Sequence, residues 1–146
     1  NLGEKLAKVG KEIGTVTGRK RRCGWFDAVL VKQTVKISGV KGVALTKLDV
    51  LDSFEEIKMC TAYKLDGKLI NYFPSSKRDQ VKVQPVYKKF KGWNSSTSGI
   101  KKFDDLPIEA KIYIQELEKN IETKISSIST SPERKDTILL LDPFKA

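Results

Sequence analysis

The chain has 146 residues, 39% of them apolar, which is enough for one ordinary domain with a packed core. Twenty-eight basic against 18 acidic residues give a formal charge of +10, a balance that favours anionic partners: nucleic acid, acidic lipid or phosphorylated small molecules. Histidine is absent, so no histidine-based nucleophile or metal site can be assembled from these residues, and no apolar run approaches the roughly 20 residues that span a bilayer.

No charged-then-apolar leader opens the sequence, and the expectation is a soluble, cytoplasmic protein without a membrane partner. Cys23 and Cys60 lack any paired spacing and read as free thiols in a reducing compartment. Asn1 is not a natural start, so residues 1–146 are expected to be a single domain or part-domain from a longer chain.

In chain order, residues 2–9 read as a short helix ended by Gly10, with Leu2, Leu6 and Val9 on one face. Between Trp25 and Ile37, the apolar set Phe26, Val29, Leu30 and Ile37 fits a helix that Ser38-Gly39 ends. The β-branched Val31, Thr34 and Val35 pull against that assignment. Val43-Ala44-Leu45, apolar on both faces, suits a buried strand of a mixed or parallel sheet, breaking into Lys47 and Asp49. Ile57, Met59, Thr61, Tyr63 and Leu65 alternate strictly, and Asp66-Gly67 joins them to Lys68–Phe73 as a β-hairpin. Val81, Val83 and Val86-Tyr87 form another short strand around Pro85, placed at an edge because proline cannot donate to a ladder.

Lys91 to Gly99 is loop-like. Asp104-Asp105 and Pro107 then open an amphipathic helix over 106–121, with Leu106, Ala110, Tyr113, Ile114, Leu117 and Ile121 as its apolar stripe. Ile125–Ile128 is a short strand leading into the turn Ser129–Pro132, and Thr137–Leu141 is a last strand stopped by Asp142-Pro143. The fold class is α/β with a mixed sheet, and no repeat or linker divides the chain.

Three stretches could carry chemistry. Three of the five arginines, Arg19, Arg21 and Arg22, crowd into four consecutive positions of a lysine-rich chain. Each guanidinium is a planar fork that grips a carboxylate or phosphate in two places, and an anion between crowded forks relieves their repulsion. Thr15, Thr17 and Gly18 add hydroxyls and a backbone that approaches an anion closely. A solvated basic face or a nucleic-acid patch is the plain alternative, although Gly14, Gly18, Gly24 and Trp25-Phe26 suggest a loop built into a fold.

The second stretch is Thr46-Lys47-Leu48-Asp49. An acceptor-only carboxylate matches the two parallel donors on one edge of guanine and would face an acceptor on adenine. On an extended chain Lys47 lies on the same side as Asp49, its stem free to lie along a base; a surface ion pair is the plainer reading. The third is Ser129-Thr130-Ser131, whose hydroxyls and N–H groups suit a base carbonyl or phosphate, or form an ordinary turn ahead of Pro132. Arg134 and Asp136 read as solvent-exposed, and Trp25 and Trp93 as core aromatics.

These pieces fall into one order. Thr17-Gly18-Arg19-Lys20-Arg21-Arg22-Cys23-Gly24-Trp25-Phe26-Asp27, then Leu45 to Asp52, Pro85-Val86-Tyr87, Gly92-Trp93, Thr97 to Gly99, Leu106-Pro107, Tyr113-Ile114 and Ile128 to Pro132 together closely resemble adenylosuccinate synthetase. The match covers nearly all of residues 10 to 144 and is similar to the C-terminal third of that family.

The resemblance implies the C-terminal portion of a mixed-sheet, GTP-dependent ligase fold. It implies a reaction in which IMP, L-aspartate and GTP give adenylosuccinate, GDP and phosphate with Mg²⁺, in a cytoplasmic homodimer of purine biosynthesis. Thr15, Val16, Thr17, Gly18, Arg19, Lys20 and Arg21 would fold over aspartate. Arg19 would also contact IMP, and Arg21 the GTP phosphates. Lys47, Leu48 and Asp49 would hold the guanine, with Ser129, Thr130 and Ser131 closing its other side.

Two departures stand out. Serine occupies position 131 where the family usually has glycine, a strain of roughly 1 kcal/mol or more if that residue needs positive φ. The family's Gly-rich phosphate loop, its catalytic aspartate and histidine, and its Mg²⁺ ligands have no counterpart in residues 1–146, so no catalytic or metal-binding residue is assigned and these residues alone are expected to be inactive. A basic nucleic-acid-binding module is the alternative function; without an aromatic-rich basic strand or a recognised binding motif, the sequence argues against a nucleic-acid partner.

Overall fold

The computed structural model describes residues 1–142. Helix α1, Leu2–Val9, is capped by the Asn1 side chain, which accepts from the Gly3 N–H, and buries Leu6. The following segment turns back on itself: Ile13 bridges Lys20, the Gly14 N–H bonds the Arg19 carbonyl, and Gly18 turns the tip at φ 63°. The basic run is thus one arm of a small hairpin, as the surrounding glycines suggested.

Strand β1 is the two-residue Phe26–Asp27, and α2 runs Ala28–Ser38. The helix expected from Trp25 therefore starts three residues later. Asp27 adopts an extended conformation and its side chain accepts from the Leu30 N–H, the N-cap arrangement that sets the boundary. Gly39 ends the helix in the left-handed conformation (φ 62°). The buried residues are Ala28, Val29 and Val35, whereas Leu30 and Ile37 of the expected apolar set face solvent.

Strand β2, Gly42–Leu45, pairs in parallel with β6, Lys124–Ser129, which pairs antiparallel with β7, Thr137–Leu139. The expectation of a fully buried β2 is corrected: as an outer strand of a three-stranded sheet it leaves Ala44 exposed, while Ile125 and Ile128 of the central strand are sealed. The end of β7 lies before Pro143, and the proline stop itself falls outside the described residues.

The other sheet is built on β3, Glu56–Leu65. Asp66 (φ 46°) and Gly67 (φ 83°) make the tight turn to β4, Lys68–Ile70, with Leu65 opposite Lys68. The second arm is shorter than Lys68–Phe73. Val81 and Val83, expected in the strand, lie outside it: helix α3, Lys77–Gln80, ends in a turn at Val81, and β5 spans only Gln84–Lys91. Strand β5 pairs along nearly all of β3 with Pro85 opposite Tyr63, on the edge that proline requires. A bulge lies between Cys60 and Ala62, and Cys60 is buried with a free thiol.

Helix α4, Ile108–Ile121, joins the two sheets. Ala110, Tyr113, Ile114, Leu117 and Ile121 recur at helical spacing, and each is buried in a core that also takes Leu48, Ile57, Met59, Trp93, Leu106, Ile125 and Ile128. Fully burying side chains of this size contributes roughly 1.5–3 kcal/mol each. At the end of α4, Glu122 takes a left-handed cap conformation (φ 55°) and its carboxylate bonds Lys32 at 2.6 Å and Lys36 at 2.8 Å, tying α4 to α2. A side chain at Gly92 would place Cβ 1.7 Å from the Phe54 carbonyl oxygen, so only glycine lets β5 pass there. Among the described residues, no helix is long and apolar enough to cross a membrane.

Candidate functional site

The stretch after β2 is not extended. Lys47 adopts the left-handed conformation (φ 61°, ψ 44°), and Leu48–Leu51 coil into a single 3₁₀ turn. This corrects the expectation that Lys47 and Asp49 project from the same side of an extended strand. Two anchors hold the turn: Leu48 is sealed in the core, and Asp52 just beyond it accepts from Trp93 Nε1 (2.6 Å), the Thr97 N–H (2.7 Å) and Thr97 Oγ1 (2.8 Å).

Asp49 sits in this turn with an oxygen, Oδ1, that is buried and has no hydrogen-bond partner among the described residues. Burial pushes its carboxyl pKa above the ordinary value and the charge of Asp52 adds to the rise, while a bond from its own backbone N–H and the charge of Lys47 oppose it. Asp49 itself lines neither of the clefts described below, whereas its neighbours Lys47, Leu48 and Val50 line one of them.

Ser129, far along the chain, meets this turn: the Lys47 N–H donates to Ser129 Oγ at 2.9 Å. The other two hydroxyls of Ser129-Thr130-Ser131 turn inward. Thr130 is buried, its single hydroxyl proton within reach of the carbonyls of Ile100 (2.8 Å) and Asp136 (3.1 Å), and Ser131 Oγ donates to Asp136 Oδ2 at 2.8 Å. Asp136, expected at the surface, is buried by these contacts, while Arg134 is exposed. Ser131 does not have positive φ, so the strain anticipated from the missing glycine does not arise.

Residues Thr15 to Arg22 are all exposed, with Val16 at the tip 98% accessible. Lys20, Arg21 and Arg22 line a cleft of about 840 Å³ between the hairpin and α1; Glu12, Arg22, Lys47 and Trp25 line an adjoining one of about 410 Å³ floored by Leu6, Leu48 and Tyr113. Arg19 lines neither cleft and, like Lys20 and Arg22, has no ion-pair partner among the described residues.

Glu12 belongs to both clefts. Its Oε2 accepts from Arg21 Nη1 at 3.1 Å and its Oε1 pairs with the Lys47 ammonium, which also donates to the Gly10 carbonyl at 2.8 Å. The bond from Lys47 chiefly holds the Glu12 carboxyl below the usual carboxylate range; desolvation pushes it up, and the charge of Lys47 and the bond and charge of Arg21 add to the lowering. Glu12 was not among the residues singled out from the sequence. The available signal was its isolation, as the one carboxylate between Glu4 and Asp27 in a stretch that is otherwise basic or neutral. The sequence reading also assigned no role to Asp52, which fixes the turn.

The described residues contain no group of three or more histidine, cysteine, aspartate or glutamate side chains that could hold a metal ion. The arrangement offers cations on a hairpin, a carboxylate acceptor in a fixed turn, and a shared acid between them.

Two sheets joined by a helix, with cationic side chains and a shared acid lining adjoining clefts, define an α/β unit. The sequence profile of adenylosuccinate synthetase matches residues 1–138. A solved structure described as fully ligated adenylosuccinate synthetase from Plasmodium falciparum superposes with a TM-score of 0.90 and 39% sequence identity, covering 94% of this chain. The chain belongs to the adenylosuccinate synthetase family. It spans 34% of the length of that solved chain.

Proposed function

We infer that this chain forms the aspartate-, IMP- and guanine-recognising region of an enzyme that joins IMP to L-aspartate at the expense of GTP, giving adenylosuccinate, GDP and phosphate. The observation that carries this reading is the turn Lys47–Leu51, which holds the Asp49 carboxylate beside a cleft lined by Lys47 and Leu48 and is pinned by Asp52 and Ser129. Guanine presents two N–H donors on one edge, which match the acceptors of this carboxylate; adenine would oppose it with an acceptor.

On this reading Thr15 to Arg21 close over the aspartate substrate, with Arg19 also reaching IMP and Arg21 the GTP phosphates. Their charges offset the repulsion of a dicarboxylate meeting phosphoryl groups and orient the attacking amine. Lys47, Leu48 and Asp49 form one side of the guanine site. On the opposite side Ser129 presents its hydroxyl to the turn, whereas Thr130 and Ser131 contribute through the backbone they stiffen. Mg²⁺ belongs to the reading as a partner of GTP; the described carboxylates do not form a site for it, and no step assigned to these residues passes through it. A cytoplasmic homodimer accompanies the proposal as the family's setting.

The test is Arg19→Leu in the full-length enzyme. The Michaelis constant for aspartate should rise about tenfold or more with kcat lowered, as expected for a group that binds substrate and transition state. Unchanged steady-state kinetics would overturn the assignment.

A further inference from the structure

We propose that Glu12 is a positioning residue that couples the basic hairpin to the guanine-side turn, one carboxylate oxygen holding Arg21 and the other Lys47. This rests on the functional reading above and adds to it a link between two substrate sites.

The geometry is that of a keystone between separate elements. The base of the hairpin is closed by the Ile13–Lys20 bridge and by the Arg21 N–H donating to the Glu12 carbonyl at 3.0 Å. Lys47 reaches across to that same base, donating to the Gly10 carbonyl and pairing with Glu12. The Glu12 side chain is only 19% exposed, less than Arg21 at 62% or Lys47 at 48%, so the acid lies beneath the two cations that solvent and ligand can reach.

A carboxylate with two oxygens and two different cations cannot release one without changing its hold on the other. An acidic ligand that draws Arg21 towards itself leaves Glu12 to Lys47 alone, and a base settling against Lys47 alters the grip on Arg21. Coupling of this kind is reciprocal in binding free energy. The wall between the two clefts is therefore the element through which occupancy on the hairpin side is felt at the turn.

The experiment is a double-mutant cycle in the full-length enzyme, with aspartate Michaelis constants measured at saturating GTP and IMP. Lys47→Met, which lies on the guanine side, should raise the aspartate constant by about fivefold while leaving that for IMP within about twofold. Glu12→Gln, equal in shape but without charge, should raise it by a similar factor. In the Glu12→Gln background, Lys47→Met should add nothing further. The proposal is overturned if Lys47→Met leaves the aspartate constant unchanged, or if the two effects multiply as independent changes do. The first of these outcomes needs no change at Glu12, so it is decisive even where Glu12→Gln fails to fold. Arg19→Leu, run in parallel, separates failure of the coupling from failure of the substrate assignment: a normal aspartate constant there removes the functional reading itself.

Discussion

The backbone N–H of Lys47 donates to the hydroxyl of Ser129 across 82 residues of chain, at 2.9 Å. That bond fastens the left-handed residue at the end of β2 to the last residue of β6, the strand paired with it. A non-glycine residue in this conformation is strained, and a directed contact keeps it there. Ser129→Ala removes the acceptor. The protein should lose about 1 kcal/mol of stability, read as a lower Tm, and the Michaelis constant for GTP should rise because the turn carrying Asp49 loosens. A normal Tm with a normal GTP constant would separate Ser129 from the turn.

Asp49 supplies a pH signature. Its carboxyl pKa is raised in the unliganded protein, chiefly by burial, so the penalty for its charge is absent below the ordinary carboxylate value and grows as pH rises through the folded value. Guanine donors favour the ionised form and act in the opposite sense. GTP affinity should therefore fall as pH is lowered from 7 to about 5, and Asp49→Asn should weaken binding and remove this component. Titration of the nucleotide phosphates is common to both proteins and cancels in the difference. Without ligand, the Asp49→Asn protein should be at least as stable as the native one at neutral pH. Affinity profiles of the two proteins that differ only by a constant offset would remove Asp49 from base recognition.

A partly buried pair, Asp27 and Tyr63, serves the scaffold. Asp27 caps α2 through Oδ1, accepting from the Leu30 N–H at 3.0 Å, and its Oδ2 accepts from the Tyr63 hydroxyl. Burial first and the Asp27 carboxylate second push the Tyr63 phenol pKa well above its ordinary value. Stability from this group is therefore complete below its unfolded-state pKa and is lost as pH rises beyond about 10. Tyr63→Phe leaves a carboxylate oxygen unpaired and should cost about 1–2 kcal/mol in thermal unfolding, with the Michaelis constants unchanged. A shift in substrate affinity would place this pair in the site after all.

Much of the fold was legible because it is written in local periodicity. The stripe from Leu106 to Ile121 has all its residues buried, the Asp66-Gly67 turn is where alternation breaks, and Pro85 lies on an edge strand. The start of α2 was misplaced because Trp25 and Phe26 are apolar and continue a helical pattern, while the capping bond of Asp27 outweighs that pattern. Asp136 was misjudged for a different reason: a charged residue in a polar turn looks solvated until the hydroxyl of Ser131 is found facing it.

From the order of residues alone came the α/β class, the hairpin, the amphipathic helix, the basic run and the likeness to one enzyme family, since each depends on neighbours within a few positions or on motif succession. Tertiary structure alone decided that Glu12 stands between Arg21 and Lys47, that Lys47 turns back instead of extending, and that Ser129 supports it while Thr130 and Ser131 face inward. Most of these are pairings between groups tens of residues apart, and a carboxylate takes its partners from whichever cations the packed sheets bring within reach.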